Sequence, residues 1–262
     1  MVALNVQKTA FERLSAAGFD TALFEARQIA AFLGNTTEKE LDALLKRRID
    51  GEPLQYILGE WEFYSLPFYV GEGVLIPRPD TEILAEFAID MAGTDEVTCM
   101  DLCSGSGALA ITLDKHCPNA TVFAMELSDA AFSFLERNIK LNNSSVRAVK
   151  GDVTEDVFGE YDLIISNPPY IKTDELDTLQ KEVQREPKMA LDGGDDGLFF
   201  YREIAKKWVP HLKDGGTLAV EIGIGQEDDV KRIFAEAGLK NIGEKRDYGN
   251  IVRVIFGTLD NI

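Results

Sequence analysis

Residues 239–257, LKNIGEKRDYGNIVRVIFG, decide how this chain folds. Two runs with strand character, LKNIGEKRD and IVRVIFG, are separated only by Tyr248, Gly249 and Asn250. Three residues are too few for a parallel crossover, so the two runs must pair as an antiparallel hairpin. Upstream, five more strand-like runs stand at VTCMDL (97–102), ATVFAMEL (120–127), VRAVKGD (146–152), YDLIIS (161–166) and GTLAVEIG (216–223), with helical stretches between them. Alternating strands and helices are the signature of a doubly wound α/β fold with a parallel sheet. The expected sheet therefore has seven strands, five of them parallel, closed by a C-terminal antiparallel hairpin. A plain dinucleotide-binding fold would end differently.

Before the sheet, RPDTE (78–82) starts a helix with Asp80 as predicted cap and Ile83, Leu84, Phe87, Ala88 and Met91 as its buried face. The preceding EWEFYSLPFYVGEGVLIPRP (60–79) is rich in aromatic and β-branched residues and is broken by Pro67, Gly71 and Gly73, which predicts a hairpin connector. Further upstream the period is helical. Val6, Ala10, Phe11 and Leu14 share one face; Leu23, Ala26, Ile29, Ala30 and Leu33 share another, with Asp20 as predicted N-cap and Gly34-Asn35 as stop. TEKE (37–40) is a capping box for a third helix carrying Leu41, Leu44 and Leu45. The chain thus divides into a helical bundle at 1–60, a β-hairpin connector at 61–79 and the sheet domain at 80–262. The bundle holds no histidine and no catalytic constellation, and reads as a packing or partner-docking module.

Composition excludes several classes. With 262 residues and 45% apolar content the chain is an ordinary globular protein, and no apolar run approaches the roughly 20 residues that span a bilayer. The N-terminal stretch carries Glu12 and Asp20 and lacks a continuous apolar segment, so neither a secretory signal nor a transit peptide is expected and the location is read as cytoplasmic. Cys99, Cys103 and Cys117 lack CxxC spacing, which predicts reduced thiols and no metal. A net charge of −18 disfavours tracking a phosphate backbone. Residues 1–70 hold 7 basic against 10 acidic side chains, net −3, which leaves −15 for the rest. Lys46, Arg47 and Arg48 could still form a local basic face.

Chemistry concentrates at the strand ends. DLCSGSGALA (101–110) follows the first sheet strand and opens a helix. Its glycines let a backbone approach a ligand closely, and the helix start offers free N–H donors. Gly105, Gly107 and Ala110 also fit a nicotinamide-dinucleotide variant of the motif, and a purely structural turn is the plainer alternative. Glu126 ends the second strand about 20 residues on, where a carboxylate can accept both hydroxyls of a ribose; the plainer alternative is a cap for the helix near Ser128. Asp152 and Val153 follow the third strand; the resemblance of the strand order to S-adenosylmethionine-dependent methyltransferases implies that Asp152, or the backbone of Val153, meets an adenine ring there, although a solvated loop aspartate would look the same.

The fourth strand runs straight into Asn167, Pro168, Pro169 and Tyr170. Asn-Pro and Pro-Pro are common turn dipeptides, but here they follow a buried strand and a glycine loop. A dehydrogenase would need a proton-transfer residue, and His116 and His211 both lie away from the strand ends. NPPY resembles the motif by which a subset of methyltransferases modify a planar nitrogen, which implies such an acceptor here. An amide or aryl amine has a delocalised lone pair and gains little from simple deprotonation. The Asn167 side-chain carbonyl and the Pro168 backbone carbonyl can each accept one N–H, which aims the nitrogen and favours the positive charge that builds on it. Pro168 and Pro169 fix where the carbonyl points, and Tyr170 offers a flat surface.

The strand order and these motifs resemble the class I methyltransferases that use S-adenosylmethionine. More closely, IPRPDTE, DLCSGSGALA, NPPYI, EPKMALDGGDDGL and EIGIGQ, in that order over about residues 50–256, resemble the HemK-type glutamine N5-methyltransferases that act on peptide chain release factors. The resemblance implies methylation of the glutamine of a Gly-Gly-Gln tripeptide, with the N-terminal helices helping to dock the protein substrate. It implies cofactor contacts at Asp101, Cys103, Ser104, Gly105, Ser106, Gly107, Glu126, Asp152, Val153 and Asn167, and a glutamine pocket at Asn167, Pro168, Pro169 and Tyr170, with Asn167 and Pro168 catalytic. Cys103 stands where many relatives have glycine, so its contact would be through the backbone. The acidic charge agrees with a protein substrate rather than a nucleic acid. Methylation of a ribosomal-protein glutamine or of nucleic-acid exocyclic amines is the alternative activity, and a nonenzymatic binding module the alternative class. No membrane partner is expected and a monomer is the default. LDGGDDGL (191–198) reads equally as a mobile flap or as the cap of the helix after it.

Overall fold

The computed structural model describes residues 5–34 and 36–260. Helices α1 (Val6–Ala16), α2 (Ala22–Leu33), α3 (Glu38–Ile49) and the short α4 (Leu54–Leu58) share one apolar cluster built from Val6, Ala10, Leu14, Ala26, Ile29, Leu41, Leu45 and Ile57. At α3 the capping box forms: Thr37 Oγ1 accepts the Glu40 N–H while the Glu40 carboxylate accepts the Thr37 N–H.

The pattern on α2 is shifted from the expected one. Its buried residues are Ala22, Glu25, Ala26 and Ile29, whereas Leu23 is exposed. Periodicity of apolar residues misses this because a charged residue holds an inward position. Arg48 of α3 turns inward and meets Glu25 through two hydrogen bonds, at 2.7 and 2.9 Å. The same pairing removes Arg48 from the proposed basic face, and Arg47 is bound to Glu52, while Lys46 is exposed. On α1, Phe11 faces solvent. The α2 cap position is Thr21 rather than Asp20, and its hydroxyl donates to Glu25. Gly34 ends the helix, while Asn35 lies outside the described residues.

The connector is the expected antiparallel hairpin of β1 (Glu60–Phe63) and β2 (Leu66–Tyr69). Helix α5 (Glu82–Ala92) follows a single 3-10 turn at Pro79–Thr81. Asp80 does not cap it. Its carboxylate instead pairs with Arg253 at 2.9 Å, and Met91, expected to be buried, is exposed while Ala85 and Ala92 turn inward.

The sheet contains β3 (Thr98–Leu102), β4 (Thr121–Glu126), β5 (Arg147–Lys150), β6 (Tyr161–Ser166), β7 (Leu212–Glu221), β8 (Lys240–Arg246) and β9 (Val252–Thr258). Helices α6 (Ala108–His116), α7 (Asp129–Leu141), α8 (Phe199–Trp208) and α9 (Glu227–Glu236) alternate with these strands. Strand order is β5-β4-β3-β6-β7-β9-β8, with β3 to β7 parallel and β9 antiparallel to both neighbours. The sheet is covered on both faces, by a cluster around Leu84, Phe87, Ile111 and Leu135 and by one around Tyr201, Trp208, Phe234 and Ile255. The chain runs outward from β3 through β4 to β5, then returns to the other side of β3 as β6. That reversal opens a crevice beyond the carboxyl ends of β3 and β6, where ligands of such sheets bind.

Candidate active site

Register aligns Leu102 of β3 with Ser166 of β6, so the loop at Cys103–Gly107 and the turn at Asn167–Tyr170 emerge side by side. Between them lies a cavity of about 490 Å³. Of the residues predicted from sequence, Asp101, Cys103, Ser104, Gly105, Ser106, Glu126, Asp152, Val153, Asn167 and Pro169 line it. Gly107, Pro168 and Tyr170 do not.

Each exception has a physical reason. Gly107 adopts φ +84°, and a Cβ there would stand 2.6 Å from Leu135 Cδ1. Its smallness seats the start of α6 against α7 instead of facing the cavity. Pro168 is buried beside the lining residues. Tyr170, expected to lie flat against an acceptor, points elsewhere: its hydroxyl donates to Glu221 Oε1 at 3.3 Å, as a buried phenol O–H must find an acceptor.

The loop after β3 is held from beneath. The Asp101 carboxylate accepts from Ser104 Oγ at 2.5 Å and from the Ala110 N–H at 3.3 Å through Oδ2, while Oδ1 has no partner among the described residues. Burial pushes the Asp101 carboxyl up to about 7, against the smaller opposing effect of those hydrogen bonds. Cys103 has φ +58°, a left-handed conformation that costs a residue with a Cβ roughly 1–2 kcal/mol. Its thiol is pushed up by burial.

Glu126 is 8% exposed, and its two oxygens accept backbone N–H groups, Oε2 from Gly105 at 2.8 Å and Oε1 from Ser128 at 2.6 Å. The cap of α7 is Ser128 itself, whose side chain accepts from the Ala131 N–H. Each Glu126 oxygen has a second lone pair left for a hydroxyl. Asp152 closes a local turn through Oδ1, which accepts from Thr154 N–H at 2.8 Å, and the Val153 carbonyl accepts from Trp208 Nε1 at 2.9 Å.

At the other wall, Asn167 Nδ2 donates to Thr81 Oγ1 at 3.0 Å. The turn is fastened on its far side too: Gln226 Nε2 donates to the Tyr170 carbonyl at 3.0 Å, and Ile171 exchanges backbone hydrogen bonds with Leu191 and Gly193. A Cβ on Gly193 would stand 2.7 Å from the Tyr170 Cα, so only glycine permits this approach. The 191–198 segment is therefore bonded along the NPPY turn, and it also leads into α8 through Asp196, which accepts the Leu198 N–H.

Two family models match the chain, the Methyltransferase small domain over residues 80–195 and the PrmC N-terminal domain over residues 33–59. A release factor glutamine methyltransferase of Agrobacterium fabrum is 35% identical over 270 aligned positions, covering 93% of this chain and 93% of that relative. The chain belongs to the release factor glutamine methyltransferase family. The Geobacter sulfurreducens member is 42% identical, over 82% of this chain and 76% of its own length. The Fusobacterium nucleatum member is 43% identical over 82% of this chain, and the match spans 62% of that relative. Among solved structures, a methyltransferase from Pyrococcus furiosus gives a TM-score of 0.59 at 19% identity, covering 86% of this chain and all of that one. A ribosomal protein L11 methylase from Lactobacillus delbrueckii subsp. bulgaricus gives 0.53 at 22% identity, covering 72% and 84%. At that distance the likeness is one of fold.

In this family member the cavity also takes walls that sequence reasoning did not name: Ile76 and Arg78 from the connector, Thr81 from the turn before α5, and Pro187, Met189 and Ala190 from the segment after β6. Glu186 ties the two together, accepting from Ile76 N–H at 3.0 Å and pairing with Arg78. The IPRPDTE and EPKMALDGGDDGL stretches had signalled their importance only as family motifs, because their meeting depends on a separation of more than 100 residues.

Proposed function

We propose that this methyltransferase transfers a methyl group from S-adenosylmethionine to the side-chain amide nitrogen of the glutamine in the Gly-Gly-Gln tripeptide of peptide chain release factors. Family membership and the position of Asn167 and Pro168 at the crevice between β3 and β6 support this reading. The observation that carries it is the Asn167 amide, tied to Thr81 through nitrogen so that Oδ1 is the atom left to accept an N–H from a ligand in the cavity.

The cavity fits the cofactor chemically. A volume of about 490 Å³ lies in the range of small-molecule sites, and the unpartnered Asp101 Oδ1 and the spare lone pairs of Glu126 are acceptors for an amino group and for ribose hydroxyls. The Cys103–Gly107 backbone and the Asp152–Val153 corner complete that half. When bound, the cofactor supplies an electrophilic sulfonium methyl. The chain's own contribution is to orient the acceptor: Asn167 Oδ1 and the Pro168 carbonyl each take one amide N–H, and both dipoles favour the charge that grows on nitrogen. The buried prolines keep that carbonyl from turning away. The N-terminal helices 1–60 act as the docking module for the protein substrate, and the location is cytoplasmic.

The test is methyl transfer from labelled S-adenosylmethionine to purified release factor, with the modified residue mapped by mass spectrometry. A methyl on the Gly-Gly-Gln glutamine is expected. Transfer to a ribosomal protein or a nucleic acid in its place would overturn the substrate assignment.

A further inference from the structure

The connector hairpin has one edge that its own partner strand does not use. The Val70 N–H donates to the Gly59 carbonyl, and antiparallel bonding alternates along a strand, so Pro67 and Tyr69 turn their backbone groups away from β1. Two asparagines at the end of α7 take up that edge. Asn142 Nδ2 donates to the Pro67 carbonyl at 2.9 Å. Asn138 holds Tyr69 twice: Oδ1 accepts the Tyr69 N–H at 2.7 Å, and Nδ2 donates to the Tyr69 carbonyl at 3.1 Å.

Asn138 makes one bond more. It is fully buried, and its Nδ2 also donates, at 2.9 Å, to the carbonyl of Ser106 in the loop after β3. Two carbonyls on the nitrogen and one N–H on the oxygen fix which way the amide faces, since the reversed amide would set its oxygen against both carbonyls. The loop it holds has cause to need holding. Cys103, Gly105 and Gly107 all have positive φ, and glycine passes readily between such conformations and ordinary ones, so the peptide units around Ser106 can rotate. A Ser106 carbonyl turned into the cavity would bring a partial negative charge to the start of α6, where free N–H groups favour an anion and where the carboxylate of S-adenosylmethionine would be repelled. Asn138 keeps that carbonyl facing α7. The connector fastened by the same amide continues to Ile76 and Arg78, which also line the cavity.

We propose that Asn138 is a positioning residue for cofactor binding: by tying the Ser106 carbonyl to the connector hairpin it keeps the Cys103–Gly107 loop in the form that receives S-adenosylmethionine. This rests on the reading of the cavity as the cofactor site. Asn138 does not line the cavity and acts through Ser106.

The test compares the wild type, Asn138→Ala and Asn142→Ala. Both variants unfasten the hairpin and should lower the urea midpoint, but only Asn138→Ala releases the loop. By isothermal titration Asn138→Ala should bind S-adenosylmethionine about tenfold more weakly than the wild type, the equivalent of one lost hydrogen bond, and Asn142→Ala within about twofold of it. In Asn138→Ala, KM for the cofactor should rise in parallel while kcat at saturating cofactor stays within about twofold. Without any ligand, the backbone amides of residues 103–107 should exchange with solvent faster in Asn138→Ala than in Asn142→Ala. Wild-type affinity in Asn138→Ala, an equal loss in Asn142→Ala, or the same loop exchange in both would each overturn the proposal. Should Asn138→Ala fail to fold, Asn138→Asp, which keeps the shape and the acceptor for Tyr69 but loses the NH₂ donors, takes its place in the comparison. If the wild type binds no S-adenosylmethionine, the reading of the cavity fails separately, and loop exchange alone decides whether Asn138 holds the loop.

Discussion

The helical bundle and the strand-end crevice treat buried charge in opposite ways. In the bundle, Glu25 and Arg48 are 5% and 6% exposed and satisfy one another, with Arg48 also reaching Glu182 at 2.9 Å. At the sheet, Asp101 and Glu221 are buried more deeply, yet each keeps one carboxylate oxygen without a partner among the described residues, and burial pushes both up to about 7. A paired charge costs little once formed and records architecture. A carboxylate left short of donors is a local cost that a folded protein tolerates where a ligand or a neighbouring polar group uses it.

The contrast breaks most visibly at Arg48. Arg48→Ala should destabilise the protein by about 3–5 kcal/mol, because it strands Glu25 in the bundle core, whereas the double change Glu25→Leu with Arg48→Met should cost far less. Urea denaturation of the three proteins decides this, and a single-variant loss under about 1 kcal/mol would remove the architectural reading. The opposite behaviour is expected at Glu221. Its carboxyl has a higher pKa folded than its ordinary value of 4.5, so the folded state binds the extra proton and stability falls as pH rises from 4.5 to about 7, then levels. Glu221→Gln removes that dependence. Its melting temperature, relative to wild type, should be higher at pH 8 than at pH 5, by an amount equivalent to at most about 3 kcal/mol. An advantage that does not grow with pH would show that the site's charge is as well satisfied as the bundle's.

Asn167→Ala sharpens the functional side of the comparison. Turnover should drop by about 10²-fold or more, as for loss of one preorganised polar group, with cofactor affinity and unfolding midpoint little changed. Isothermal titration and single-turnover kinetics separate the two, and weakened cofactor binding with unchanged saturated turnover would reassign the residue. The smallest effect is expected at Cys103→Gly. Removing the Cβ relieves the left-handed strain of φ +58°, offset by loss of the half-buried thiol and a freer unfolded chain, so stability should change by no more than about 1 kcal/mol and cofactor affinity should persist. A large loss of affinity would show that the cysteine side chain, rather than its backbone, faces the ligand.

Much of this was legible from local pattern. The seven strands stand within a few residues of their expected places, and the capping box at Thr37 formed as read, because strand period, helix period and capping are short-range properties. Errors appeared where distant charges reach across. Glu25 sits inside because Arg48 waits 23 residues on, and Asp80 leaves α5 uncapped because Arg253 attracts it from the far end of the chain. Tyr170 stays off the cavity wall for a similar reason: Glu221, 51 residues later, takes its hydroxyl.

By itself, then, the sequence determined the order of elements, the hairpin that closes the sheet, and the glycine loop and Asn-Pro-Pro-Tyr turn that mark the strand ends. Only the tertiary structure decided which atoms of those motifs meet. Thr81 and Asn167 are 86 residues apart and share no period or turn, and their hydrogen bond exists because α5 packs beside β6 and β7. Short-range geometry is written in neighbouring residues, whereas the hydrogen bond that holds a single amide depends on which strands and helices pack side by side.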